Sequence, residues 1–274
     1  MSDSTLTALV NECDARTCEL LGGLYALLSN AFTFPNAAWF ETFRRESCWE
    51  AVRVRAADAD AALAARVTGT ERRLRRIRSE KGDAGALSAL QDDYARLFSH
   101  AVRGSCPPYE LEYGRRDILQ QSPQLADIGG FYAAFGLSQE DSARERLDHV
   151  SVECDFLARL SCLEAEAAVA DDAERAQVVA DAHHAFLADH LGRWAPAFAR
   201  QVDDADPDGF FGGVAKILAA TIETDAGRRG LSLGPTYLPL CHEDSEATGE
   251  FECGVDSGDE GRERFVSLGI EKKR

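Results

Sequence analysis

Leu20-Leu21-Gly22-Gly23-Leu24-Tyr25-Ala26-Leu27-Leu28-Ser29-Asn30-Ala31-Phe32 decides the class of this fold. Leu20, Leu24, Leu27 and Ala31 recur at the period of an α-helix, with Leu21, Leu28 and Phe32 beside them. Leu6, Leu9 and Cys13 carry the stripe upstream, and Phe34-Pro35 ends it, because proline crowds helical backbone at the preceding residue. A short helix is expected near Ala37–Phe43, with Trp39, Phe40 and Phe43 as its apolar face. Residues 51–80 are rich in Ala and Arg and read as an exposed helix or helix pair. Their Arg72, Arg73, Arg75, Arg76 and Arg78 form a solvated face.

Further stripes follow the same period. Leu87, Leu90, Tyr94, Leu97 and Phe98 form one, and a helix over Ile118–Phe135 ends at Gly136. The next is expected from about Asp141 to Val169. Another opens at Asp171-Asp172 and runs through Phe186, Leu191 and Trp194. After the polar turn 203–209 comes Phe210, Phe211, Val214, Ile217, Leu218 and Ile222, stopped by Gly227 and Gly230. Gly22-Gly23 and Gly212-Gly213 read as points of close helix packing. Alternating strand patterns and βαβ units are absent, so the class is all-α, a helical bundle. The chain divides into an N-terminal helical part (1–136), a C-terminal helical part (137–231) and an acidic tail (232–274). Between Glu243 and Glu263 the tail holds nine acidic residues and one basic, Arg262, and is expected to be disordered.

A formal net charge of −17 argues against nucleic-acid partners, since phosphate contacts need clustered Lys and Arg. The four lysines are Lys81, Lys216, Lys272 and Lys273, a bias that a saline host or GC-rich coding would each produce. No apolar run is long enough to span a bilayer, and Met1-Ser-Asp-Ser-Thr-Leu lacks a leader pattern, so a cytoplasmic protein without membrane insertion is expected. The eight cysteines are then reduced. Cys241-His242 with Cys253 is the one metal-like grouping, and it lacks a clear fourth ligand.

The densest chemistry lies in Glu145-Arg-Leu-Asp148-His149-Val-Ser-Val-Glu153-Cys-Asp-Phe156-Leu157. On one helix, Glu145, His149 and Glu153 would share a face and Asp148 would pair with Arg144. These are ordinary helix ion pairs, or else Asp148, His149 and Glu153, with His183 or His190, serve a metal-dependent hydrolase. His183, His190 and Trp194 fall near one helix face and read as satisfied core-edge residues. Phosphate loops, dinucleotide fingerprints, nucleophile elbows and zinc-protease motifs are absent, so no cofactor is indicated.

Four segments in order resemble the TorD/DmsD/NarJ family of redox-enzyme maturation chaperones. They are Leu24-Tyr-Ala-Leu-Leu-Ser-Asn-Ala-Phe32; Asp93-Tyr94-Ala-Arg-Leu97-Phe98 followed by Pro107-Pro108-Tyr109-Glu110-Leu-Glu112-Tyr113; Glu145-x-x-Asp148-His149-x-x-x-Glu153-x-x-Phe156; and Phe186-x-x-x-His190-Leu191-x-x-Trp194-x-x-x-Phe198. Leu147 stands where the family often has Pro, Leu157 where it often has Met, and the tail lies outside the resemblance. The resemblance implies an all-helical chaperone, not an enzyme. Such a chaperone binds the signal peptide, commonly of the twin-arginine type, and the apo catalytic subunit of a molybdopterin oxidoreductase, and holds it until cofactor is inserted. Its implied client-binding residues are Tyr109, Glu110, Glu112, Asp148, His149 and Glu153. Glu110, Asp148 and Glu153 are expected at the groove rim, pairing with client guanidinium groups. The chain is a monomer or a domain-swapped dimer exchanging about Gly136–Asp141.

Overall fold

The computed structural model describes residues 3–98, 105–114, 118–137 and 145–241. Among these described residues nine α-helices follow in order: α1 (Asp3–Ala31), α2 (Ala37–Phe43), α3 (Glu46–Ala59), α4 (Ala61–Phe98), α5 (Ile118–Ala134), α6 (Val150–Val169), α7 (Ala173–Phe186), α8 (Gly192–Ala205) and α9 (Phe210–Arg229). Strands are absent among the described residues, which contain two isolated β-bridges, Tyr109 with His149 and Tyr113 with Leu240. The all-α class read from the apolar periodicity is the class observed.

α1 lies mainly along α6 and also touches α3 and α9, while α9 packs on α8 and α4. One continuous core therefore joins the N-terminal and C-terminal helices. Leu21, Leu24 and Leu28 of α1 are fully buried in it, as are Phe186, Phe198, Phe210 and Phe211. Gly213 brings α9 against α4: a Cβ there would sit 2.6 Å from the Thr70 hydroxyl. Gly22 likewise faces Ser161 and Cys162 on α6. Gly230 closes α9 in the left-handed conformation (φ +66°).

Three departures from the sequence reading have local causes. First, residues 51–80 are not an exposed arm. Val52, Ala56, Leu63, Val67 and Leu74 are buried, so small and aliphatic residues suffice for a core face. Arg73 and Arg76 of the basic run donate to the carbonyls of Gly209 (2.7 Å) and Asp208 (2.9 Å), tying α4 to the turn before α9. Second, α6 begins at Val150 rather than near Asp141. His149 is extended (ψ 137°), and its ring accepts from the Ser151 amide as the helix N-cap. Glu145 therefore precedes the helix, and the expected shared face of Glu145, His149 and Glu153 does not form. Third, the helix through Trp194 is divided by a π-helical turn, Leu187–Leu191. His183 and His190 consequently meet different partners.

The change in composition places the start of the tail at Ser232. Residues 231–241 instead form an extended strap that recrosses the bundle. Its Gly234 amide donates to the Gly192 carbonyl (2.9 Å), and its Cys241 amide donates to the Glu112 carbonyl (3.0 Å). Pro196, within α8, lacks the N–H that would normally reach Gly192, so the strap satisfies a carbonyl the helix leaves open. The acidic stretch 243–263, with His242 and Cys253, lies outside the described residues, as do Arg144 and residues 138–141 of the expected exchange hinge Gly136–Asp141.

Candidate functional site

Pro107 and Pro108 prevent the chain after α4 from continuing as helix, so residues 106–114 cross the bundle as a fixed loop. The Cys106 amide donates to the Leu97 carbonyl at the end of α4 (2.9 Å). The loop then pairs, antiparallel, with the segment entering α6. The Glu110 amide donates to the Asp148 carbonyl and the Val150 amide to the Pro108 carbonyl, both at 2.9 Å. This pairing brings Tyr109, Glu110 and Glu112 together with Asp148 and His149, 35 or more positions apart in the chain.

Asp148 is the internal fastener. Its carboxylate accepts two bonds from the Arg146 guanidinium (2.9 and 2.7 Å) and a third from the Leu111 amide (3.2 Å). Burial pushes its pKa above the ordinary carboxylate value, against the downward pull of Arg146 and that amide. Arg146 also lies over the Tyr109 ring, 4.7 Å from its centre, and 3.6 Å from the Glu112 carboxylate. The Tyr109 hydroxyl donates to Glu145 (3.3 Å). Because His149 Nδ1 accepts from the Ser151 amide, the ring proton sits on Nε2, which faces Glu145 at 3.7 Å.

Beneath this layer, Glu110 reaches inward to Arg193 and to His190 Nδ1 (3.1 Å), and His190 Nε2 continues to Asp127 of α5 (3.5 Å). Glu153 accepts from the Trp194 indole (3.1 Å). Burial, reinforced by the nearby Glu110 carboxylate, pushes the Glu153 pKa well above its usual value. A raised pKa contributes stability that is complete below the unfolded value of about 4.3 and declines as pH rises toward the folded one. Glu153→Gln keeps the shape and removes the titration. The variant is expected to gain stability over the parent between pH 5 and 8, by up to about 1.4 kcal/mol per pH unit where one proton is at issue. Urea unfolding at pH 5 and 8 measures it. Equal pH dependence in the two proteins would mean that Glu153 is ionised in the fold.

A family model described as nitrate reductase delta subunit matches residues 56–200, more than half of the chain and all of this loop-and-turn arrangement. The chain belongs to that family, the TorD/NarJ group of redox-enzyme maturation chaperones. Similar curated proteins include a chaperone protein TorD of Photobacterium profundum, 30% identical over 151 residues, which cover 55% of this chain and 68% of the relative. Another is a chaperone protein TorD of Vibrio cholerae serotype O1 (strain M66-2), 28% identical over 152 residues, covering 51% of this chain and 66% of the relative. The chain thus spans about two thirds of the length of these curated relatives.

In this TorD/NarJ-family chain the carboxylates expected at a groove rim are elsewhere. Glu110 is 1% exposed, and Asp148 and Glu153 are fully buried. Their partners come from the chain itself, because the loop and the α6 entry have many backbone amides and guanidinium groups that need acceptors. The accessible carboxylates around the site are Asp127 (67% exposed), Glu145 (31%) and Glu112 (29%). The hydrolase alternative is not supported either. Asp148 faces Arg146, His149 caps α6 and Glu153 meets Trp194, so the three do not converge. Among the described residues no group of three His, Cys, Asp or Glu side chains is placed to hold a metal ion. Cys241 is buried, and its thiol donates to the Leu111 carbonyl (3.3 Å).

Sequence reasoning missed a second buried cluster. His183 Nε2 meets Asp225 (2.8 Å), whose other oxygen takes Arg229 (2.8 Å), and Tyr25 donates to the same carboxylate (2.9 Å). Arg229 also holds Glu164 at 2.8 and 3.0 Å. A carboxylate on each apolar stripe of α6 and α9 was the available signal: Glu164 follows Leu157 and Leu160, and Asp225 follows Leu218 and Ile222. Among the described residues no helix is long and apolar enough to cross a membrane.

Proposed function

We propose that this chain is a non-catalytic cytoplasmic chaperone for a molybdopterin oxidoreductase subunit. It binds the subunit's N-terminal signal peptide and apo form, holds it for cofactor insertion and proofreads it before export or assembly. The observation carrying this reading is the clasp between loop 106–114 and residues 146–150, buttressed from within by Asp148, Glu110 and Glu153. It lies wholly within the region matched by the family model, whose relatives are named chaperones. A rigid extended loop presents backbone groups and aromatic edges to a peptide, while Glu112, Glu145 and Asp127 supply negative charge for the basic end of a signal sequence.

The test is an affinity pull-down from the native host at native salt, with bound proteins identified by mass spectrometry. A molybdopterin oxidoreductase subunit is expected, and its capture should cease when its N-terminal signal is deleted. Intact bait that recovers no such subunit would overturn the reading. Capture that survives signal deletion would move the contact to the folded part of the client.

A further inference from the structure

Loop 106–114 has two edges. One pairs with the entry to α6, as described above. The other is covered by the chain's own strap: Tyr113 bridges Leu240, the Gly114 amide donates to the Pro239 carbonyl (2.8 Å) and the Cys241 amide donates to the Glu112 carbonyl (3.0 Å). Upstream, the strap lies on the N-terminus of α8, where Gly234 takes the carbonyl that Pro196 leaves open. The approach is so close that a Cβ on Gly234 would fall 2.0 Å from the Arg193 carbonyl oxygen. Between these two attachments the strap is loosely held: Pro235 and Thr236 are exposed, and Tyr237 is 74% exposed. Leu233 and Thr236 line a hollow of about 250 Å³ between α8 and α9, with Ala219 and Ile222 in its wall and charged residues, Asp203 and Lys216 among them, also lining it.

We propose that the strap, residues 231–241, is an internal stand-in for the client's signal peptide and must be displaced when the client binds. This deepens the chaperone reading and rests on it. The strap shows what the surface accepts: an extended apolar peptide like Leu238-Pro239-Leu240. The peptide presents a carbonyl to the Gly114 amide and N–H groups to the Glu112 and Gly192 carbonyls. Removal of the strap would take away the partners of those three backbone groups, and an incoming extended segment restores all three. The tethered strap competes from a high effective concentration, so only a segment that fits well displaces it.

Gly234→Ala tests this without altering Tyr109, Glu110, Asp148, His149 or Glu153. The added Cβ cannot coexist with the docked strap, so the variant should bind a synthetic client signal peptide more tightly. The gain is about tenfold if the strap is docked about nine-tenths of the time. Hydrogen exchange on the unaltered chain supplies a second readout that needs no variant. Adding the peptide should speed exchange at the Gly234 and Cys241 amides while Glu110 and Val150 stay protected. Equal affinity in the two chains, with Gly234 and Cys241 still protected in the peptide complex, overturns the strap proposal and leaves the chaperone reading standing. Weaker binding by Gly234→Ala also overturns it, making the strap part of the client surface. Binding by neither chain overturns the signal-peptide reading and the strap proposal with it.

Discussion

Arg229→Met is expected to lower the unfolding free energy by about 3–5 kcal/mol, the range for removing one partner from a buried ion pair. Arg229 and Glu164 are each 7% exposed and Asp225 is fully buried, so solvent cannot replace the lost guanidinium. Arg229 bonds both carboxylates at once; without it Asp225 keeps His183 and Tyr25, Glu164 keeps His183 and Arg228, and among the described residues no guanidinium is left to bond Asp225. The pH profile of stability carries the same signature. Burial pushes Asp225 and Glu164 upward, but His183 and Arg229 override it, holding Asp225 at about 2 and Glu164 well below its usual value. Depressed carboxylates stabilise the fold above their unfolded values, near 4, and that contribution is lost as pH falls through the folded ones. Burial pushes His183 down, but Asp225 and Glu164 override it and hold its pKa above 6.5. Its contribution is therefore complete below pH 6.5 and is lost as pH rises through the raised value. The cluster is at its strongest from about pH 5 to 6.5. In Arg229→Met the acid limb should begin at higher pH, because the carboxylates keep only part of their compensation. Urea midpoints from pH 3 to 8 measure both effects. A midpoint within error of the parent at pH 6 would mean that the cluster stabilises nothing net.

That cluster marks where sequence reading ended. Helical periodicity is local, so Leu20 through Phe32 announced α1 and the run from Phe210 announced α9 without knowledge of the rest of the chain. The loop 106–114 was legible because two adjacent prolines exclude helix on their own. Partnerships between distant segments were not. In the sequence Asp148 and Glu153 look like any exposed acidic residue, and only the fold shows that Arg146 and Trp194 cover them. The start of α6 was misplaced for a related reason. Residues 145–149 have helical spacing, but a turn closed by the His149 amide on the Arg146 carbonyl (3.1 Å), together with the pairing of Asp148 and Val150 with the loop, holds them out of the helix. The strap resembles tail because acidic composition after Glu243 dominates its neighbourhood, although Leu231, Leu233, Leu238 and Leu240 already carry an apolar signal upstream.

Asp148→Ala is expected to lower stability by about 2–4 kcal/mol and to weaken signal-peptide binding at least about tenfold, although its carboxylate reaches no surface. The substitution leaves the buried Leu111 amide without its side-chain acceptor, frees Arg146 from its two-pronged bond and opens a void beneath the loop. Arg146, which also covers Tyr109 and approaches Glu112, then loses the anchor that sets its position. The loop edge that would receive the peptide becomes mobile, and the free energy of ordering it is subtracted from binding. Asp148→Asn retains an acceptor for Leu111 and should recover most of the stability while losing the charge-assisted bond to Arg146. Salt separates this positioning role from direct contact. Glu112→Gln and Glu145→Gln remove exposed charge, and their effects on peptide affinity should fade near 1 M salt, where screening acts over roughly 3 Å. The Asp148→Ala deficit should persist there, since its cause is a loosened loop rather than a missing surface charge. A deficit that vanished with salt would show that Asp148 meets the client's guanidinium groups itself, and that the clasp opens when the peptide arrives.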